Sequence, residues 1–238
     1  MVPALIWAFA EQGFSPLYNI HLALATSLAV IVPTALSSLR THHAHGAVDW
    51  DAVRRIAPGI LLGTLVGSLV AAKLSDGGLK IFFTLFLFYA ATQMLLGFKP
   101  PASRQLPGPA VMTFAGSVIG LVSSWVGIGG GTLSVPFLTW CNTGLRRAIG
   151  TSSAIGLPIA LAGSVGYAIS GWNVSNLPVF SAGFIYLPAL LFIALGSWLT
   201  APLGARATHH LPVQQIKKIF AALLYLMSAR MAYGLWAG

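Results

Sequence analysis

A chain of 238 residues that is 56% hydrophobic and only 7% charged, with a mean hydropathy of +0.82, excludes an ordinary water-soluble domain, where about a quarter of residues carry charge. Its 13 basic residues against 4 acidic ones give a net charge of +9, but they lie scattered between apolar runs and read as topology anchors, not as a nucleic-acid footprint. A single cysteine, Cys141, excludes an internal disulfide and a four-cysteine metal site.

A spanning helix needs about 20 mostly apolar residues. The chain opens with Met1-Val2-Pro3-Ala4-Leu5-Ile6-Trp7, which has no basic stretch of the kind that starts a signal peptide, and residues 2–10 are too short to cross alone. Spans are expected over 20–39, 52–72 and 79–98. The proline-rich stretch 100–109 then reads as a linker dividing the chain nearly in half. Further spans are expected over 108–126, 148–170, 181–204 and 214–236, with a second half-helix over 129–140. The predicted fold is all-α, a polytopic transmembrane helix bundle of two related halves with broken helices.

The halves are legible as a repeat. Thr151 lies 125 positions after Thr26, and Pro158 lies the same 125 after Pro33. Val2-Pro3 answers Val135-Pro136, and Lys80-Ile81-Phe82 answers Lys218-Ile219-Phe220. The first repeat is expected over residues 1–99 and the second over 108–238. Only the second has a complete leading helix and a glycine run ahead of its Val-Pro pair, so the first reads as N-terminally incomplete. The loops holding Arg146 and Arg147, and then Arg206, Lys217 and Lys218, are favoured on the cytoplasmic side, and the uncharged 171–180 on the outside, which puts the C-terminus outside. The loop with Arg40, Arg54 and Arg55 is inside if the halves are inverted and outside if they are parallel.

The sharpest local feature is Gly127-Ile128-Gly129-Gly130-Gly131 feeding the short helix after it. A helix broken inside a membrane presents unpaired N–H groups and a positive dipole end, which favour an anion. Glycines in membrane helices also serve close packing alone. No strand precedes the run and no Gly-Lys-Ser/Thr end follows it, so it is not a nucleotide loop. The pairs Thr26-Ser27 and Thr151-Ser152 read either as hydroxyl donors to an anion or as hydrogen bonds to nearby turns. Pro33 and Pro158 should bend or break their helices, lining a cavity or simply kinking. His42-His43-Ala44-His45 invites a metal or proton-relay reading, but its place in a polar loop favours interfacial solubility. Trp50, Trp172 and Trp236 read as interface anchors. All four acidic residues, Glu11, Asp49, Asp51 and Asp76, fall in or near loops, so neither an enzyme nor a carrier with a buried carboxylate is expected. No cofactor or metal is called for.

Gly127-Ile128-Gly129-Gly130-Gly131, Val135-Pro136-Phe137-Leu138 and Ala148-Ile149-Gly150-Thr151-Ser152 together resemble the signature of the sulfite exporter TauE/SafE family of membrane permeases, and Ala25-Thr26-Ser27 with Gly46-Ala47-Val48-Asp49-Trp50 resembles its first-half element. The likeness runs over essentially the whole chain. It implies a bacterial cytoplasmic-membrane transporter of two related halves that moves sulfite, a sulfonate or another small sulfur-containing anion. Gly129, Gly130, Gly131, Thr151, Ser152, Thr26 and Ser27 are the expected substrate contacts, in a site between the repeats exposed alternately to the two sides. The expected partners are the lipid bilayer and a small inorganic or organic anion, without nucleic acid. A passive anion channel and a non-transporting scaffold or assembly protein are the alternatives.

Overall fold

The computed structural model describes residues 1–96, 106–197 and 213–237. Nine helices lie among the described residues: α1 (Val2–Glu11), α2 (Asn19–Ala44), α3 (Trp50–Ala71), α4 (Asp76–Leu96), α5 (Pro109–Val126), α6 (Gly131–Trp140), α7 (Leu145–Gly171), α8 (Leu187–Ser197) and α9 (Val213–Ala237). Helices α2, α3, α4, α5 and α7 are long and apolar enough to cross a bilayer. This is a multi-pass helical membrane bundle. At about 1.5 Å per residue, the 10-residue α1 and α6 each reach about 15 Å, half of a hydrocarbon core.

Local chemistry sets the helix ends. Pro3 and Pro109 sit in the first turns of α1 and α5, where a missing N–H costs nothing. Asp49 caps α3 by accepting from the Ala52 N–H (3.2 Å). Pro33 and Pro158 lie inside α2 and α7, which run through them uninterrupted.

Two expectations need correction. His42 and His43 belong to the last turn of α2 instead of a loop. The span expected over 181–204 opens as a tight antiparallel hairpin, Ser181–Ala182 (β1) against Ile185–Tyr186 (β2), and only then becomes helix α8. Gly183, at φ +59°, turns the hairpin in close packing against α7, where an added Cβ would lie 2.1 Å from the Ala168 carbonyl. The remainder of that span, 198–204, and most of the linker lie outside the described residues.

Contacts between helices fix their directions. Helices α2 and α7 cross antiparallel: Ser38 Oγ donates to Ser153 Oγ (3.1 Å), while Leu28 lies against Gly163. Pro33 and Pro158 lie midway between these two contacts on their own helices. Helices α3 and α5 run parallel, with Gly59, Gly63 and Gly67 set against Thr113, Ser117 and Leu121 in turn. An added Cβ at Gly63 would lie 2.0 Å from the Ser117 carbonyl, so these backbones approach as only small residues allow. Helices α4 and α9 run antiparallel, joined by Ser228 Oγ to the Thr84 carbonyl (3.2 Å) and by Thr92 to Tyr225 (2.7 Å).

These directions show that α2 and α7, the helices carrying the matched Thr-Ser and proline residues, are inverted with respect to each other. The pattern extends to hydrogen bonds. Thr151 Oγ1 accepts from the Asp49 N–H (2.9 Å) just before α3, and Thr26 Oγ1 accepts from the Tyr186 N–H (3.0 Å) just before α8. Ser152 meets Ser134 (2.8 Å), and Ser27 meets the Met1 sulfur (3.7 Å); Ser134 and Met1 each directly precede a Val-Pro pair.

One face of the bundle, where α2 ends and α3 and α7 begin, carries Arg40, Arg54, Arg55, Arg146 and Arg147. The other, where α3 ends and α4 begins, carries Lys73, Arg230 over the Trp7 ring, and the ion pair of Asp76 with Lys80. The core between the faces is a continuous cluster that includes Leu24, Leu28, Ile56, Ile60, Ile155, Ile159 and Tyr167.

Candidate functional site

Helix α5 ends because Gly127 takes a left-handed conformation (φ +66°), with its N–H and that of Ile128 both directed at the Ser123 carbonyl (2.9 and 3.3 Å). The chain then turns again at Gly130 (φ +78°), the N-cap of α6. The Gly130 carbonyl accepts from the N–H groups of Leu133 and Ser134 and from the Ser134 hydroxyl (3.1, 2.8 and 2.8 Å). The first-turn N–H groups of Gly131 and Thr132 have no acceptor within their own helix. The break therefore places a positive helix end inside the bundle.

That end opens on a cleft of about 500 Å³ lined by Ile31, Thr34, Ala35 and Ser38 of α2, by Gly129, Gly131 and Val135, and by Ile149, Ser152, Ser153 and Gly156 of α7. No charged side chain lines it. It reaches from the start of α6 past the Ser38–Ser153 contact to Ile149, close to Arg146 and Arg147 on the basic face. Ser153 accepts from Ser38 and so retains its own proton for a ligand. Ser134 donates to the Gly130 carbonyl, which leaves Ser152 donating to Ser134 and facing the cleft with its lone pairs. Thr34 donates back to the Ile31 carbonyl (2.9 Å), exposing an acceptor on the cleft wall.

The expected site residues divide. Gly129, Gly131 and Ser152 line the cleft. Gly130 supplies the turn behind it, pressed on α7, where an added Cβ would lie 2.4 Å from Ile159 Cδ1. Thr151 is fully buried and holds the Asp49 N–H; Thr26, equally buried, holds the Tyr186 N–H. Ser27 donates to the Gly127 carbonyl (3.0 Å) on the far side of the glycine break. Sequence reasoning missed Thr34, Ser38 and Ser153. The adjacent hydroxyl in Thr151-Ser152-Ser153 was a signal for the last, whereas Ser38 emerges only once α2 and α7 are known to cross antiparallel. Among the described residues, no three His, Cys, Asp or Glu side chains gather as a metal site.

A polytopic bundle whose broken helix points its N-terminus at an open cleft between helices has the architecture of membrane transporters. The chain belongs to the sulfite exporter TauE/SafE family, whose model matches residues 1–231. A Haemophilus influenzae protein described as a "Probable membrane transporter protein" is 36% identical over 97% of this chain and 88% of its own length. YunE of Bacillus subtilis, with the same description, is 25% identical over 98% of this chain and 88% of its own. No solved structure matches.

Proposed function

We propose that this protein is a permease of the bacterial cytoplasmic membrane that moves a small sulfur-containing anion, such as sulfite or a sulfonate, by alternating access. The observation that carries the reading is the cleft at the start of α6, which combines a positive helix end with the free hydroxyl proton of Ser153 and contains no carboxylate. A dehydrated anion gains charge-assisted hydrogen bonds from such a helix end. The absence of a fixed cation in the cleft keeps binding weak enough for release. Arginines at the mouth, Arg146 and Arg147, raise the local anion concentration. The basic face is the cytoplasmic one by the excess of arginine it carries. Family membership supports the sulfur anion.

The test is uptake of radiolabelled sulfite into proteoliposomes, with sulfate, thiosulfate and a small sulfonate as competitors. Saturable uptake with counterflow is expected. Flux that never saturates and shows no counterflow would mean a passive channel. Absent flux from well-folded protein, whose stability also ignores every anion, would mean a scaffold.

A further inference from the structure

The open cleft has a closed counterpart. Moving six of its lining residues on α2 and α7 by the 125-position offset of those helices takes Ile149 to Leu24, Ser152 to Ser27 and Ser153 to Leu28, and takes Thr34, Ala35 and Ser38 to Ile159, Ala160 and Gly163. The environments differ at four of these six pairs. On the open side Thr34 and Ile149 are exposed, Ser38 and Ser153 are half-buried, and Ala35 and Ser152 line the cleft although they are buried. On the other side Leu24, Leu28, Ile159 and Ala160 are fully buried and Ser27 is 2% exposed. Where Ser38 and Ser153 leave space, their counterparts close it: Leu28 fills the notch at Gly163, in which an added Cβ would come within 2.7 Å of Leu28 Cδ1.

An aromatic cover seals the outer end of this closed region. Phe184, in the turn of the hairpin, is buried and stacks on His21 (5.3 Å between centroids); Tyr186 packs edge-on against Phe9 and Phe14 (5.6 and 5.1 Å). The hairpin is held down at the Thr26–Tyr186 hydrogen bond.

From this asymmetry between matched positions we infer that the protein has a second, latent access path on the face opposite Arg146 and Arg147, formed by Leu28 and Ser27 of α2 and Ala160 and Gly163 of α7. It opens when the two halves exchange conformations. The crossing of Pro33 and Pro158 is the pivot, because it is the point the two inverted helices share. Repeat-built carriers alternate in this way, each half taking the shape the other has just left. The inference rests on the permease reading and names the residues of its outward route.

The test is side-specific thiol labelling in sealed vesicles. The single native cysteine, Cys141, is buried and is first replaced by serine. Ser153→Cys, Ala160→Cys and Leu28→Cys are then labelled with a membrane-impermeant maleimide added from one side at a time. Ser153→Cys should react only from the face of Arg146 and Arg147. Ala160→Cys and Leu28→Cys should react only from the opposite face, about ten- to a thousandfold more slowly, as for a minor conformer. Sulfite should shift the labelling rates on the two faces in opposite directions. If Ala160→Cys and Leu28→Cys stay unlabelled from the opposite face in protein that still transports, the latent path is wrong and the permease reading stands. If both label as expected while no anion is transported, the two-sided opening stands and the permease reading falls.

Discussion

Glycine is used in two opposite ways in neighbouring parts of this bundle. Along α3, Gly59, Gly63 and Gly67 are ordinary helical residues whose missing side chains let α5 lie directly on the backbone. At the end of α5, Gly127 and Gly130 adopt positive φ and interrupt the helix. The first group exchanges surface for backbone contact, which drives association where lipid leaves no hydrophobic force between helices. The second gives up helical hydrogen bonds to expose a helix end. Composition is the same in both places. What separates them is the dihedral angle and whether the nearest neighbour is backbone or a side chain.

Enlarging a packing glycine should therefore cost folding most. Gly63→Leu pushes a side chain into the Ser117 backbone on a parallel helix that cannot yield locally. A loss of about 3 kcal/mol or more is expected for such overpacking, read as a collapse of monodisperse protein in detergent. A wild-type melting midpoint for this variant would erase the distinction between the two groups.

Gly130→Ala should cost about 1–2 kcal/mol, from the left-handed conformation together with the Ile159 contact. Because that contact is the end of a flexible side chain, Ile159→Val should restore part of the loss in the double variant. Strictly additive melting shifts would mean that the dihedral angle alone is responsible.

The latch residues sharpen the comparison between the halves. Thr151→Val and Thr26→Val each leave a buried N–H without its acceptor, at about 1–2 kcal/mol. Matching losses of stability are expected, and Thr→Ser should recover most of each. A large effect at one site alone would show that the two hydrogen bonds are not equivalent.

The spans were legible because lipid demands long apolar runs, and the repeat was legible because Thr26 and Pro33 reappear at one offset. The hairpin was not. Ser181-Ala182-Gly183-Phe184-Ile185-Tyr186 runs without charge into α8, so hydropathy merges the two, and only the positive φ at Phe180 and Gly183 parts them. The site was half legible. The glycine break could be read from sequence, but the roles of Thr26 and Thr151 are set by N–H groups 160 and 102 residues away. The pairing of Ser38 with Ser153 depended on the antiparallel crossing, which the charges alone left open.

Gly131 is where the two uses of glycine meet, and it should be the least costly to the fold. It lies in the first turn of α6 at an ordinary helical angle, and an added Cβ would sit 3.6 Å from Ser152 Oγ, a normal contact. Gly131→Val should therefore leave stability within about 0.5 kcal/mol of wild type. Its methyl groups, however, project into the cleft beside the first-turn N–H groups. Sulfite uptake should fall by about tenfold or more, on the order of 1.4 kcal/mol in transport free energy, with membrane abundance unchanged. If uptake survives, the anion does not approach the start of α6, and the cleft's role as the binding site fails. If protein is lost along with uptake, Gly131 belongs with Gly63 as a packing residue, and the boundary between the two uses of glycine lies nearer the cleft than the dihedral angles place it.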